Sequence, residues 1–260
     1  MNPDKKIRLG IISALHEEQE GLVERMQGTV TLTHGMRHYT TGNLFGIDAV
    51  CVLSRIGKVA AAMTASILIE RFGVTHLVFT GVAGGAQASV KVGDLVIGDS
   101  LVQYDMDASP LFPRFQVPLT GLSHFESDRH LSDCLARASG GFLAEEAKTL
   151  FSMEERKEFG LGDMGMHRGL IGSGDQFVSS GEQLHRYSSA LPGLLAVEME
   201  GAAVAQVCFE LGIPYAVVRT ISDNSNEHAA HDFVRFVKTV AGRIQGPWPR
   251  RHRSPCPGKR

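Results

Sequence analysis

Short apolar, β-branched runs alternating with stretches of helical periodicity are the strongest constraint this chain places on its fold. The run His76-Leu77-Val78-Phe79-Thr80 is apolar through its centre, as a strand buried on both faces requires, and leads into Gly81-Val82-Ala83-Gly84-Gly85. Before it, residues 58–72 place Val59, Met63, Ile67 and Leu68 at helical spacing among alanines and stop at Gly73. Further strands are expected at 7–13, 95–102, 167–171, 194–197 and 215–221. Further helices are expected at 17–26, from 131 onward, and at 181–189, 201–211 and 232–244. Residues 37–44 and 47–54 read as a hairpin across Phe45-Gly46. Strands alternating with helices need a mostly parallel sheet, because each helix carries the chain back across it. The expectation is a single α/β domain over residues 1–244, with a mixed, mostly parallel twisted sheet flanked by helices on both faces. Residues 145–165, polar and punctuated by glycine, read as a surface insertion, and residues 81–85 as a tight glycine turn.

Composition narrows the function classes. With 260 residues, 43 % hydrophobic and 21 % charged, the chain can build an ordinary globular core. A formal net charge of −2 gives no general drive toward nucleic acid or membrane. No apolar run approaches the roughly 18 residues a spanning helix needs, and the first residues are too polar for a secretory signal. Cys51, Cys134, Cys208 and Cys256 contain no CxxC pair and read as reduced thiols, so neither a disulfide framework nor a zinc site is expected. His16, His124, His228 and His231 form no metal-spaced cluster. A cytoplasmic enzyme without metal or cofactor fits these features. The charge is uneven, however: six basic residues and no acid lie from Arg243 onward, leaving 20 basic against 28 acidic over residues 1–242. Residues 245–260, basic and Pro-rich, are expected to be disordered; the alternative is a nucleic-acid-binding arm with salt-dependent affinity.

In an open α/β sheet, ligands sit beyond the carboxyl ends of the strands. Three strand ends here carry carboxylates: Ser13-Ala14-Leu15-His16-Glu17-Glu18, Glu198-Met199-Glu200 and Ser222-Asp223-Asn224. The loop 81–85 has neither the GxGxxG spacing nor a following Lys-Ser/Thr, so dinucleotide and P-loop binding are not supported. Each candidate also has a plainer reading. Glu18 fits the first turn of a helix, Asp223 fits a turn or cap, and one of Glu198 and Glu200 fits a helix start. Phe177, Phe233 and Met199 fit a core.

Six segments then stand in one order along the chain. They are Gly10 to Glu18, Ile56-Gly57-Lys58-Val59-Ala60-Ala61, Thr80-Gly81-Val82-Ala83-Gly84-Gly85, Gly172-Ser173-Gly174-Asp175-Gln176-Phe177, Val197-Glu198-Met199-Glu200 and Val218-Arg219-Thr220-Ile221-Ser222-Asp223. Together they resemble the nucleoside phosphorylase/nucleosidase superfamily, and within it the 5′-methylthioadenosine/S-adenosylhomocysteine nucleosidases, over residues 7–240. The resemblance implies irreversible hydrolysis of the N-glycosidic bond of 5′-methylthioadenosine or S-adenosylhomocysteine, giving adenine and a thioribose. It also implies a homodimer that takes a small nucleoside and water, with no cofactor or metal and with neither nucleic acid nor membrane as partner. Carried over by position, Asp223 matches the acid that protonates adenine at N7, and Glu18 the base that activates water. Glu200 matches the carboxylate on the ribose hydroxyls, with Met199 against the sugar. Phe177 matches the ring stacked on the purine, and Val178 the neighbour whose backbone reads its edge. Ser222 supports Asp223, Phe233 lines the 5′-alkylthio pocket, and Ala83 and Gly84 touch the substrate.

Such chemistry needs an acid with a raised pKa, since adenine leaves poorly until protonated, and a base for water on the other side of the bond. Arg55 is the main departure. It stands where a small residue is expected before Ile56-Gly57, and it either reaches in as an anion ligand or points outward. Asp175 and Arg219 either pair structurally or order the site. The alternatives are a phosphate-dependent purine nucleoside phosphorylase and a hydrolase of another 5′-modified adenosine such as 6-amino-6-deoxyfutalosine. A further one is a non-catalytic adenine nucleoside sensor, which has no use for Glu18, Glu200 and Asp223 together.

Overall fold

The strand that most needs burial sits at the centre. In the computed structural model, which describes residues 6–19 and 21–245, β10 (Tyr215–Asp223) is buried at every position. It pairs in parallel with β5 (His76–Gly85), from Tyr215 opposite Leu77 to Ile221 opposite Ala83. The other strands are β1 (Arg8–Ser13), β2 (Gln27–His34), β3 (Arg37–Leu44), β4 (Ile47–Leu53), β6 (Leu95–Gln103), β7 (His124–Glu126), β8 (Met166–Ser173) and β9 (Leu194–Glu198). The helices are α1 (Lys58–Glu70), α2 (Arg129–Glu145), α3 (Ala147–Leu150), α4 (Met153–Glu158), α5 (Gly181–Ala190), α6 (Gly201–Leu211), α7 (Ala229–Phe236) and α8 (Gly242–Gln245). A π turn, Val237–Ala241, joins the last two.

On its second edge β5 changes partner along its length. His76 to Phe79 pair in parallel with β1, and Gly84 and Gly85 pair antiparallel with Val197 and Ala196 of β9. Because β10 also pairs with β6, β6 with β8 and β8 with β9, five strands close into a ring, while β1, β4, β3 and β2 extend from β5 as a wing. The sheet is therefore mixed, as expected, with parallel and antiparallel pairs both present within the ring. Between the ends of β1 and β9 the edge of β5 is left open, and such a switch point makes a ligand crevice.

Helices cover the sheet because their inner faces are small or apolar. Ala61, Thr64, Ala65 and Leu68 of α1 follow i, i+3, i+4, i+7 spacing and are buried. They face α6, whose start is Gly201-Ala202-Ala203-Val204-Ala205, also buried. Leu68, Leu77, Phe79, Val217 and Ile221 belong to the main core cluster, where burying a side chain such as Leu68 stabilises by about 1.5–3 kcal/mol.

Several sequence expectations are corrected. Residues 17–26 do not form a helix: the chain turns, makes one 3₁₀ turn at Val23–Arg25 and enters β2. The Glu18 carboxylate takes the N–H groups of Ala14 and Leu15, and Gly21 turns at φ 75°. β2 itself was not anticipated, since nearly all of it is exposed and no burial pattern marks it. Residues 81–85 are not a tight turn but the extended end of β5. The 145–165 segment is not a solvated insertion: Phe151 and Leu161 are buried in a cluster with Phe142, Leu95, Phe236 and Val240. Cys51 and Cys208 are buried free thiols, as expected. The basic, Pro-rich tail expected over residues 245–260 lies outside the described residues from residue 246 onward. Among the described residues no helix is long and apolar enough to cross a membrane.

Candidate active site

The crevice at the open edge of β5 is a pocket with about 120 Å³ of room for water-sized molecules, open to solvent at its mouth. All ten residues proposed from the sequence line it: Glu18, Ala83, Gly84, Phe177, Val178, Met199, Glu200, Ser222, Asp223 and Phe233. Glu18 follows β1 on one edge of β5, and Asp223 ends β10 on the other, so the two carboxyls straddle the end of that strand. Phe177, 40 % exposed, meets Phe233 edge-on with centroids 5.6 Å apart. The core reading therefore fails for Phe177, while Phe233, which lines the pocket, is partly buried and also packs against the core cluster that holds Leu161 and Phe236.

Asp223 is buried beside neutral partners. The Ser222 hydroxyl donates to its Oδ2 at 2.7 Å and the Ser225 N–H to its Oδ1 at 2.9 Å. Burial nevertheless dominates and raises its pKa, the two hydrogen bonds pulling the other way. Ser222 Oγ also lies 3.3 Å from the Ala83 carbonyl oxygen. It can thus turn its single hydrogen there when Asp223 carries a proton.

The other end of the pocket is crowded with charge. Glu18 accepts from Ala14 N (2.7 Å) and Leu15 N (2.9 Å) through Oε2 and from Val82 N (2.9 Å) through Oε1. Its pKa is raised, because burial outweighs the nearby Arg219 charge and these three bonds. One acceptor position on Oε1 remains for a water. Glu200 accepts from Gly57 N at 2.9 Å. Burial first, then the neighbouring Glu198 charge, push its pKa up. Arg219, 1 % exposed, bonds Glu198, lies 4.0 Å from Glu200 and stacks on Phe79 at 4.0 Å from the ring centroid. Gly81 makes this possible: a Cβ there would stand 2.5 Å from Arg219 Nη1 and 2.8 Å from Glu18 Oε1.

Both readings of Glu198-Met199-Glu200 hold, one for each carboxylate. Glu198 accepts from Glu200 N and Gly201 N at the start of α6 and from the Ser173 hydroxyl, a structural cap. Glu200 faces the pocket. Asp175 does not pair with Arg219; it accepts from Lys58 N at 2.9 Å. Arg55 points outward, exposed at φ 71°, and donates to Met36 O at 2.9 Å. Sequence reasoning left Arg219 and Ser225 out of the site. A signal existed for Arg219, since an arginine inside an otherwise apolar central strand has to be buried against carboxylates. None existed for Ser225.

The comparisons with known proteins agree with this geometry. A family model described as the phosphorylase superfamily matches residues 8–245. The 5′-methylthioadenosine/S-adenosylhomocysteine nucleosidase of Colwellia psychrerythraea is 34 % identical over 90 % of this chain and 91 % of its own length. The Neisseria meningitidis nucleosidase of the same name, solved with methylthio-immucillin-A, superposes with a TM-score of 0.81 at 33 % identity, over 92 % of this chain and 95 % of that one. Futalosine hydrolase of Helicobacter pylori superposes with a TM-score of 0.77 at 31 % identity, over 92 % and 94 %. By this match along nearly its whole length, the chain belongs to the phosphorylase superfamily and, within it, to the 5′-methylthioadenosine/S-adenosylhomocysteine nucleosidases, which are N-glycosyl hydrolases.

Proposed function

We propose that the protein hydrolyses the N-glycosidic bond of 5′-methylthioadenosine and S-adenosylhomocysteine, with Asp223 as acid and Glu18 as base. The observation that carries this reading is the pair of buried carboxyls straddling the end of β5, each with a raised pKa. Asp223 gives its proton to the purine at N7 as the C1′–N9 bond breaks and its electrons pass into the base. Water adds its oxygen to C1′, and its proton goes to Glu18. Two carboxyls on opposite sides of a scissile glycosidic bond match the inverting arrangement. Glu200, one oxygen held by Gly57 N–H, accepts from ribose hydroxyls, and its charge opposes the positive charge that develops on the sugar. Met199 packs on the sugar, Phe177 on the purine and Phe233 beside the 5′ substituent. Val178 offers its backbone to the base edge, and Ala83 and Gly84 form the floor.

Water rather than phosphate fits the lining. No Lys, Arg or His is among the pocket residues, Arg219 is taken by Glu198, and phosphate needs cationic donors. A homodimer fits the surface next to the mouth. Ile56 lines the pocket and, with Val59 at 81 % and Met36 at 77 % exposure, begins an apolar surface that a second copy would cover. A second substrate reading, a 5′-modified adenosine such as 6-amino-6-deoxyfutalosine, draws on the likeness to futalosine hydrolase.

The test is adenine release from these three nucleosides, each with and without phosphate. Release independent of phosphate is expected, and the ranking names the substrate. Strict phosphate dependence would move the chain to the phosphorylases, and no release from any of them would leave a nucleoside sensor. Light scattering at micromolar concentration should give twice the chain mass.

A further inference from the structure

Two carboxylates from distant parts of the chain meet at the start of α1, and only one of them has a role in the chemistry above. Gly57 opens this helix at φ 100°, has no side chain with which to cap it, and is followed by no acidic residue in the first turn. The backbone N–H groups that a helix start leaves free therefore find acceptors elsewhere. Gly57 N donates to Glu200 at 2.9 Å, and the next one, Lys58 N, donates to Asp175 at 2.9 Å. Glu200 follows β9 and lines the pocket, whereas Asp175 follows β8 and does not.

Asp175 is itself held. Its own N–H donates to Asp105 Oδ2 at 2.9 Å, and the Lys58 ammonium donates to Asp105 Oδ1 at 2.6 Å and to Gln103 Oε1 at 3.1 Å. These bonds close a ring through Lys58, Asp175 and Asp105. The ring ties the start of α1 to the ends of β6 and β8, whose last residues, Gln103 and Ser173, are paired. The Gly57 N–H, in turn, is the only hydrogen-bond donor to the Glu200 carboxylate among the described residues. Arg219, 4.0 Å away, is engaged by Glu198. Glycine leaves its turn free to swing, so the N–H aimed at Glu200 stays aimed only while its neighbour, Lys58 N, is held.

We infer that Asp175 is a positioning residue: by holding Lys58 N–H it keeps Gly57 N–H on Glu200, and so keeps that carboxylate set to accept from the ribose hydroxyls. The inference rests on the adenine-nucleoside reading of the site, in which Glu200 holds the sugar. Burial and the Glu198 charge favour the protonated form of Glu200, and the Gly57 bond opposes them. With that bond slackened the carboxyl would turn and take up a proton, and in that form it is a weaker acceptor.

The experiment compares wild type, Asp175→Ala and Asp175→Asn in three readouts. These are kcat/KM for the best of the three nucleosides named above, inhibition by adenine, and the thermal midpoint. Asp175→Ala removes the acceptor of Lys58 N–H, and its kcat/KM is expected to fall about 10- to 100-fold, the size of one lost hydrogen bond to a charged group. Adenine, which has no sugar for Glu200 to hold, should inhibit this variant as it does wild type. Asparagine keeps an oxygen for the same N–H and caps helices as well as aspartate does, so Asp175→Asn should stay within about threefold of wild type. The Asp175 side chain is half-exposed, and both variants should fold. A merely structural role would lower the midpoint and weaken nucleoside and adenine alike, and that result overturns the inference. An asparagine variant as impaired as the alanine one overturns it too. Wild type that releases no adenine overturns the reading of the site and this inference with it. Wild type that releases adenine, with Asp175→Ala unaltered, overturns this inference alone.

Discussion

Asp223 meets only neutral donors, whereas Glu18, Glu198 and Glu200 gather around the single guanidinium of Arg219. At the Asp223 end burial, helped by the Asp232 charge, outweighs two hydrogen bonds from neutral donors, and the carboxyl is biased toward its protonated form. At the other end burial also raises Glu18 and Glu200, but the cation and the backbone N–H groups work against it. The same side-chain chemistry is thus divided between a proton donor and a group of acceptors by what surrounds it. The acid end is lightly tied to the fold, while the charged end is part of it.

Breaking the charged end should cost the most. Arg219→Met leaves Glu198 buried and unpaired and is expected to destabilise by about 3–5 kcal/mol, read from denaturant midpoints. A loss below about 1 kcal/mol would mean the cluster is not a structural unit. Asp223→Asn should separate the two ends: adenine release falls by about 10²–10⁴-fold while the denaturation midpoint holds or rises. Wild-type rates in this variant would remove Asp223 from the acid role. Glu18→Gln should retain nucleoside binding and lose hydrolysis by a similar factor. Because both carboxylate oxygens accept from N–H groups, the new amide also leaves a donor unpaired, at a cost of about 1–3 kcal/mol. Loss of binding instead would make Glu18 a recognition group.

Stability against pH gives a smaller effect with a definite sign. Asp223, Glu18 and Glu200 all have folded pKa values raised above those of the unfolded chain. Their contribution is complete below the unfolded carboxyl pKa, about 4. It is lost as pH rises through the folded values, so the denaturation midpoint should fall on going from acid toward neutral pH. Asp223→Asn should flatten part of that slope, and a midpoint that rises over this range would contradict the raised values. The smallest effect belongs to the surface. Glu155→Gln, weakening the 2.6 Å pair with Arg243, should leave the denaturation midpoint nearly where it is and activity unchanged.

The contrast between pocket and periphery also explains what could be read in the chain. β5 and β10 were legible because a strand buried on both faces has to be a short apolar run between breakers. Glu18, Glu200 and Asp223 were legible as carboxylates at strand ends, and a family resemblance turned three open alternatives into roles. β2 was not legible, since its Thr-Val-Thr-Leu-Thr run is exposed along its length and no face of it carries a burial pattern. Neither was the packing of 145–165, where Phe151 and Leu161 stand among charges that conceal them. Arg219 could be seen as an anomaly in its strand, but its partner could not be named. Residue by residue, the plainer readings failed for Glu18 and Phe177, held in part for Phe233, which packs on a core cluster, and held for Glu198, which does cap a helix start.

By itself the sequence determined the alternation of strands and helices, the placement of carboxylates at strand ends and the membership of a family. These depend on local periodicity and on residue types that a short window reveals. Only the tertiary structure decided that β5 exchanges β1 for β9 along one edge and so opens the crevice. It alone placed Gly81 where Arg219 and Glu18 converge, and set an unpaired Ser225 hydroxyl beside the acid. Such features depend on which distant segments share a neighbour, and on how burial sets the charge of each group, and neither is written in any one stretch of chain.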